Sequence, residues 1–380
     1  MDRQRAHGRD GEDMSGVMTR RFASPPLYIQ GPNLLPQCGA FLKRVGTCLA
    51  VIADATVEAI IREPLEQAAE ESDLKLFFLR FNGECERGEV ERLVSLCEGV
   101  DAVVGAGGGR AIDTAKLVGD CLGIPTISCP TLASTDAPVS RIAVINRPDG
   151  SVEEIRLLAH SPSLVLVDSQ IIAGAPLRYL VAGMGDAMAT WFEARACWHA
   201  RGRTPFGETP TWAGISLARQ CWENLRRHAR EALSQAKRGV VGEALETVIE
   251  TNILLSSLGF ENGGLALAHA IHNGLTQIPS TYGALHGEKV AYGLLVQCVA
   301  EEAEETEEVL TLLLDLGLPV TLEDLGLKRN EDFLHRLVNH VFEKEANKLA
   351  NEPVRLSPEG LLDALLSADA LGRAAKGRGG

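Results

Sequence analysis

The most informative stretch for the fold of the first half of the chain is Val103-Val-Gly-Ala-Gly-Gly-Gly-Arg-Ala-Ile-Asp-Thr-Ala-Lys116. It joins the end of an apolar strand, three consecutive glycines and the start of a helix. Glycines let the backbone approach an anion closely, and a helix N-terminus offers free N–H groups and the positive end of a dipole. The glycines alone are also compatible with a plain tight turn between strand and helix. Because a strand precedes them and a helix follows, we favour a phosphate-binding loop that would hold a pyrophosphate.

Around this loop, short apolar runs alternate with amphipathic stretches, a pattern that predicts a parallel α/β domain with helices on both faces. A polar turn at 147–150 between two apolar stretches predicts a hairpin over 141–158. Pro64 is expected to kink or split the helix that contains it. The predicted strands are 48–52, 74–79, 102–105, 125–128 and 164–167, and the predicted helices are 56–69, 86–97 and 112–121.

The second half of the chain shows helical periodicity and few β-branched runs, which predicts an all-helical domain. We therefore expect an α/β domain over 22–176 and an all-helical domain over 177–371, with disordered extensions at 1–21 and 372–380. The acidic run at 301–308 is interpreted as a solvated helix face. The predicted helices are 180–200, 212–236, 242–258, 289–303, 308–316, 330–346 and 358–370.

The composition of the chain excludes several classes of function. Its 380 residues exceed what one hydrophobic core usually serves, in agreement with two domains. The formal net charge is −14 with no basic cluster in the body of the chain, so nucleic acid is not an expected partner. No apolar run approaches the length of a membrane span. The nine cysteines include no CxxC pair, which favours a reducing cytoplasm over a disulfide framework.

Three residues of the second half are candidate metal ligands: Asp186, His269 and His286, each in a short segment bordered by glycine. One carboxylate and two imidazoles leave coordination positions open, as a catalytic Zn²⁺ requires. On spacing alone, ordinary capping or hydrogen-bonded roles are the commoner explanation, because the three residues are far apart and form no compact HExxH motif.

An acidic residue ends the first predicted strand at Asp54. In dinucleotide sites, a carboxylate in such a place commonly binds the adenosine ribose, and its charge repels a 2′-phosphate. NAD is therefore expected in preference to NADP. The alternative is that Asp54 caps the helix that follows, and the two roles are compatible.

Four segments occur in one order along the chain: GGGRAIDTAK at 107–116, PTLASTDAPVS at 130–140, GMGDAMATWFEARA at 183–196, and HAIHNGLT at 269–276 followed by HGEKVAYG at 286–293. As a set they resemble glycerol dehydrogenases, metal-dependent polyol dehydrogenases that share their fold with iron-containing alcohol dehydrogenases and dehydroquinate synthase. The resemblance covers about residues 22–371. It implies an N-terminal α/β dinucleotide-binding domain and an all-α C-terminal metal-binding domain.

By position, the resemblance implies that Asp186, His269 and His286 hold Zn²⁺ and that Asp136 binds a substrate hydroxyl. The implied reaction is reversible NAD-dependent oxidation of glycerol to dihydroxyacetone, with hydride leaving a zinc-bound vicinal diol. The alternative substrates are another polyol, such as 1,2-propanediol, or glycerol 1-phosphate. A homo-oligomer, an octamer, is also implied. The residues expected to line the NAD site are Asp54, Gly107, Gly108, Gly109, Arg110, Ala111, Ile112, Asp113, Thr131, Leu132, Ala133, Ser134, Ser140 and Ile142.

The sequence departs from its relatives at a few positions. Iron-type enzymes place a histidine four residues after the aspartate, where this chain has Thr190, so the resemblance favours three-ligand zinc enzymes. Arg110 stands where a lysine is usual, which keeps the charge but changes the donor geometry. His272 is either a proton relay or a structural histidine. A nucleotide-binding protein without catalysis is disfavoured, because all three proposed ligands are present.

Overall fold

The computed structural model describes residues 19–148, 151–327 and 331–378. Most of the extension predicted at 1–21 lies outside these residues, as do positions 149 and 150 of the predicted hairpin turn. None of the described helices is long and apolar enough to cross a membrane.

Six parallel strands form the sheet of the first half, in the order β1-β8-β5-β4-β2-β3. Apolar runs with both faces buried are typical of such sheets, because helices cover each side. All five predicted strands are present, and the sequence analysis missed the short first strand. The strands are β1 (Tyr28–Gly31), β2 (Cys48–Ala53), β3 (Lys75–Arg80), β4 (Ala102–Gly107), β5 (Thr126–Pro130) and β8 (Leu164–Asp168).

Successive residues of β2 point to opposite faces of this sheet. Leu49 and Val51 pack under one layer of helices, while Ala50 and Ile52 pack under the other. The predicted covering of both faces is therefore confirmed. The helices of this half are α1 (Gly39–Leu42), α2 (Ala55–Ser72), α3 (Arg87–Leu96), α4 (Gly109–Leu122) and α5 (Ser169–Ala173). Helix α2 continues through Pro64 without interruption, so the predicted split was wrong.

The predicted hairpin is confirmed as an antiparallel pair, β6 (Ile142–Asn146) and β7 (Val152–Leu157). It lies outside the six-stranded sheet and packs on α4. Asp113 of α4 accepts a hydrogen bond from the Val144 N–H at 3.0 Å. Asp113 also forms a buried ion pair with Lys116 at 2.8 Å. The hydrogen bonds from the Val144 N–H to Asp113 and from Lys116 to the Ile142 carbonyl tie the hairpin to the helix that follows the glycine loop.

After α5 the chain is helical, as predicted, and its helices share one large hydrophobic core. The predicted boundary at residue 176 falls just before the first long helix and stays a prediction. The helices are α6 (Leu177–His199), α7 (Trp212–Lys237), α8 (Glu243–Glu250), α9 (Ser256–Gly263), α10 (Leu267–Leu275), α11 (His286–Ala300), α12 (Thr306–Leu316), α13 (Glu331–Lys344), α14 (Ala346–Leu349) and α15 (Pro358–Arg378).

The helical half differs from the sequence predictions in three places. A π-helical turn, Thr251–Leu255, joins α8 to α9 where one helix was predicted. Helix α15 continues to Arg378, so the expectation of a disordered tail from residue 372 was wrong for the part that the structure describes. The acidic run is not one solvated helix face, because Glu301 to Glu305 form the turn between α11 and α12, where Glu305 pairs with Arg195 at 2.7 Å.

Glycines bring three helices of this half into backbone contact. A Cβ at Gly287 of α11 would overlap the backbone of Ala182 in α6, and a Cβ at Gly293 would overlap the backbone of Ala268 in α10. A Cβ at Gly183 of α6 would overlap the Ala133 carbonyl, which follows β5. Small residues therefore set the spacing of α6, α10 and α11.

We expect Gly293→Ala to destabilise the protein by about 1 to 3 kcal/mol, because the added methyl meets fixed backbone rather than a movable side chain. Urea unfolding followed by circular dichroism measures this loss. Gly88→Ala in α3 is the control, since a Cβ there meets nothing within 4 Å. Equal stability of the two variants would contradict the close-packing argument.

Candidate metal and nucleotide site

The helix crossings bring the three predicted metal ligands together. Asp186 lies in the middle of α6, His269 in the first turn of α10, and His286 is the first residue of α11. Their ligand atoms all lie within 4.8 Å of one another. The Asp186 Oδ1 is 3.1 Å from the His286 Nε2 and 3.6 Å from the His269 Nε2.

These distances suit a divalent metal. Ligand atoms at about 2.0 to 2.1 Å from a tetrahedral Zn²⁺ lie about 3.3 Å apart, which falls between the two measured separations. The Asp186 side chain is buried, and its Oδ2 has no hydrogen-bond partner among the described residues. A buried, unpartnered carboxylate oxygen is costly unless something neutralises it. The donor set therefore fits a cation bound between the three side chains.

Charges inside the cluster oppose the effect of burial. Burial would raise the pKa of Asp186, but His286 and His269 lower that pKa below its ordinary value. Burial would likewise lower the pKa of His269, but the carboxylates of Glu193 and Asp186 raise it to about 9. The cluster thus keeps Asp186 ionised.

Glu193 is a member of this site that the sequence analysis missed. It is fully buried, and its Oε2 lies 2.6 Å from the His269 Nδ1. It follows Asp186 by seven residues in α6, a spacing that places both on the same helix face. A charged residue at that spacing in a largely apolar helix was the available signal.

Two further residues clarify the ligand set. Thr190, at the position of the histidine in iron-type enzymes, is buried and hydrogen-bonded to the Ser256 hydroxyl at 2.8 Å. The His272 ring centroid lies 4.1 Å from that of His286, and its Nδ1 lies 3.0 Å from the Asn273 Oδ1. Burial and the neighbouring histidines lower the pKa of His272 well below its ordinary value. His272 is therefore a neutral neighbour of the cluster.

The glycine loop has the backbone that a close anion requires. Gly107 has φ +135°, a conformation that side chains disfavour. Gly108 is extended, and no side chain in the described structure caps the N-terminus of α4 that it begins. The Gly107 carbonyl accepts a hydrogen bond from the Thr131 N–H at 3.1 Å, which places the loop after β5 beside it. Free N–H groups and a helix dipole thus point to one edge of the sheet.

Asp54 lies at the same edge, because β2 is the neighbour of β4 in the sheet. Its carboxylate accepts hydrogen bonds from the Thr56 and Val57 N–H groups at 2.8 and 2.9 Å. The capping role is therefore confirmed. Contact with a ribose stays a prediction.

Several other residues predicted to line the nucleotide site make contacts within the protein. Arg110 forms an ion pair with Glu84. The carbonyls of Ser140, at 3.3 Å, and of Ile142 accept hydrogen bonds from Lys116, a residue outside the predicted set that also donates to the Ala137 carbonyl at 2.9 Å. The side chains of Ala111 and Ile112 are buried in the core. Asp113 is paired with Lys116. Nucleotide contacts of the predicted residues stay predictions.

Asp136 lies in the loop after β5, and the charges of the metal cluster affect the pKa of its carboxyl group. Burial and the nearby charge of Asp186 raise the pKa of Asp136 to about 7, while His286 and His269 act in the opposite direction. The charges of all three candidate ligands thus act on the pKa of Asp136. The predicted role of Asp136 in binding substrate stays a prediction.

Two contacts fix the loop after β5 against the helical half. The Asn252 side-chain amide donates to the carbonyls of Ala133 at 2.9 Å and Leu180 at 3.1 Å. Arg141 forms a buried ion pair with Glu261 of α9 at 2.5 Å. These contacts fix the loop after β5 relative to the helices that carry the metal cluster.

Comparison with known proteins agrees with this geometry. The family model for iron-containing alcohol dehydrogenase matches residues 25–169. Over 360 residues the chain is 41% identical to glycerol dehydrogenase from Escherichia coli O6:H1, which covers 94% of this chain and 98% of that protein. It is also 41% identical over 365 residues to glycolaldehyde reductase from Halobacterium salinarum, covering 95% and 100%.

A solved structure confirms the fold class. Glycerol dehydrogenase from Schizosaccharomyces pombe superposes with a TM-score of 0.91 at 33% identity, covering 95% of this chain and 93% of that one. The predicted resemblance is thereby confirmed over nearly the whole length. The chain belongs to the glycerol dehydrogenase family of oxidoreductases.

Proposed function

We propose that this protein is a zinc- and NAD-dependent glycerol dehydrogenase that interconverts glycerol and dihydroxyacetone. The observation that carries the proposal is the convergence of Asp186, His269 and His286, whose charges also act on the pKa of Asp136 in the loop after β5. The full-length similarity to glycerol dehydrogenases supports the substrate class.

The three side chains would hold Zn²⁺, and Thr190 supplies no imidazole as a fourth ligand. When bound, Zn²⁺ would act as a Lewis acid that lowers the pKa of a substrate hydroxyl. Asp136, with a pKa raised to about 7, is suited to accept a hydrogen bond from a neighbouring hydroxyl and to orient the substrate. His272 is uncharged and adjacent to His286, which suits a group that passes a proton rather than one that binds an anion.

The nucleotide would lie along the carboxyl edge of the sheet. The N–H groups at the start of α4 would bind its pyrophosphate, and Gly107 to Gly109 leave room for that approach. Asp54 would bind the adenosine ribose and repel a 2′-phosphate, which favours NAD over NADP. Thr131 to Ser134, Ser140 and Ile142 would line the remainder of the nucleotide site.

A second candidate reaction is reduction of a small hydroxyaldehyde to its diol, because the glycolaldehyde reductase relative is as similar as the glycerol dehydrogenases. The chemistry is the same reaction in reverse on a shorter substrate. Glycerol 1-phosphate is disfavoured, since Asp136 adds negative charge and Lys116 is occupied by backbone carbonyls. A panel of diols and hydroxyaldehydes, assayed with NAD⁺ or NADH, separates these substrates.

A homo-octamer in the cytoplasm stays part of the proposal. Light scattering coupled to gel filtration measures the mass of the assembly directly. A stable monomer would contradict it.

Removing one ligand should abolish turnover while leaving the fold intact, because each side chain is one of three protein ligands. We expect His269→Ala and His286→Ala to lose bound zinc and glycerol oxidation together, measured by elemental analysis and NADH absorbance. His199→Ala, at the exposed end of α6, is the control. Near wild-type activity in metal-free buffer would disprove the zinc assignment.

Asp136→Asn should impair glycerol oxidation more than nucleotide binding. Loss of one charge-assisted hydrogen bond costs about 1.5 to 3 kcal/mol, or about a tenfold to hundredfold loss in kcat/KM. Steady-state kinetics with glycerol and NADH affinity by fluorescence test this, with the exposed Asp120→Asn as a charge-matched control. If NADH binding collapses while the glycerol constants hold, Asp136 belongs to the cofactor site.

Asp54→Gly should narrow the gap in kcat/KM between NAD and NADP, because the charge that repels the 2′-phosphate is removed. Loss of the helix cap itself should lower the free energy of unfolding by only about a few tenths of a kcal/mol, since glycine is a tolerated cap. Thr211→Gly, which removes the cap of α7, controls for that cost. An unchanged ratio would show that Asp54 acts as a cap alone.

A further inference from the structure

The N-terminus of α10, which carries His269, is enclosed by side chains from three distant segments. The Leu267 N–H donates to the Glu352 Oε1 at 2.8 Å, and the Ala268 N–H donates to the Gln297 Oε1 at 3.0 Å. The N–H groups of Ala266 and His269 both donate to the Glu193 Oε1, at 2.9 and 2.8 Å. The orphan donors of this helix end are therefore satisfied without a local capping residue.

Glu193 differs from the other two because it also contacts the ligand side chain. One carboxylate oxygen holds the backbone of His269, and the other lies 2.6 Å from its ring Nδ1. The side chain of Glu193 is fully buried, so water does not compete for these bonds. Both the main chain and the ring of His269 are thus fixed by one residue of α6, the helix that also carries Asp186.

The contact at Nδ1 decides which ring nitrogen faces the metal position. A carboxylate oxygen accepts and cannot donate, so the proton of a neutral imidazole must lie on Nδ1. The lone pair then lies on Nε2, which faces the Asp186 Oδ1 at 3.6 Å. Carboxylate partners of metal-bound histidines act in this way and raise the basicity of the ligand.

We propose that Glu193 is the positioning residue that sets the tautomer and the orientation of His269 for metal binding. The proposal rests on the proposed metal site and adds a residue to it. Glu193 touches neither substrate nor nucleotide in this scheme and acts only through His269.

Glu193→Gln distinguishes a role of Glu193 in setting the tautomer of His269 from a role in packing alone. The amide oxygen can still accept from the two backbone N–H groups, but the amide nitrogen then donates to Nδ1. That arrangement moves the imidazole proton to Nε2, where it blocks the lone pair needed by the metal. We expect about a tenfold to hundredfold loss in Zn²⁺ affinity, measured on the full chain by competition with a chromophoric chelator.

Glu352→Gln is the matched control, since it makes the same chemical change at the same helix end without contacting His269. The Glu352 Oε1 accepts a hydrogen bond from the Leu267 N–H at 2.8 Å, and the oxygen of a glutamine amide can accept the same bond. We expect its Zn²⁺ affinity to stay within about threefold of the wild type, well short of the loss seen for second-shell partners. Thermal unfolding of the metal-free proteins checks that both variants fold.

Wild-type Zn²⁺ affinity in folded Glu193→Gln would overturn the proposal. Equal losses in the two glutamine variants would also overturn it, because they would show a helix-capping effect instead. If Glu193→Gln does not fold, Glu193→Asp replaces it, since its shorter carboxylate no longer reaches Nδ1. Unchanged affinity in that variant is the overturning result. A wild-type protein that binds no Zn²⁺ would instead overturn the metal site and the proposed function.

Discussion

The close approach of α6, α10 and α11 is the constraint on which the rest of the site depends. Asp186 and His286 meet because Gly287 lets α11 lie against the backbone of α6. His269 joins them because Gly293 does the same between α11 and α10. A side chain at Gly287 or Gly293 would overlap the facing backbone and force the helices apart. Asp186 could then not stay 3.1 Å from the His286 Nε2 and 3.6 Å from the His269 Nε2. Small residues therefore serve the chemistry by setting distances, although they carry no functional group themselves.

Bringing the helices together also concentrates charge in a place that water does not reach. Asp186 and Glu193 are buried on either side of His269, and Asp136 lies close by. Buried carboxylates are costly when unpaired, and here imidazoles, a helix N-terminus and backbone N–H groups offset that cost. The Asp186 Oδ2 has no hydrogen-bond partner among the described residues, while the Oδ1 of the same carboxylate faces both histidines, so a bound cation would offset the cost of burying this group.

The two halves of the protein act together through contacts that cross between them. Asn252 lies in the π-helical turn and holds the Ala133 carbonyl, so an irregular turn of the helical half reaches the nucleotide loop. Such turns are frequent at functional sites, because they redirect a side chain that a regular helix would point elsewhere. The Arg141–Glu261 pair makes a second crossing. Together these contacts fix the path from the glycine loop to the metal cluster.

Local sequence patterns were sufficient to predict most strands, the helix after the glycine loop and the candidate metal ligands. The apolar runs identified five of the six sheet strands, the glycine loop identified the helix that begins at Gly109, and the motifs identified the three candidate ligands. The tertiary structure alone decided the partnerships between distant residues. Glu193 and His269 are 76 positions apart, and Asn252 and Ala133 are 119 apart. Periodicity describes neighbours in the chain, whereas these hydrogen bonds depend on how helices cross, which close packing of the whole core settles.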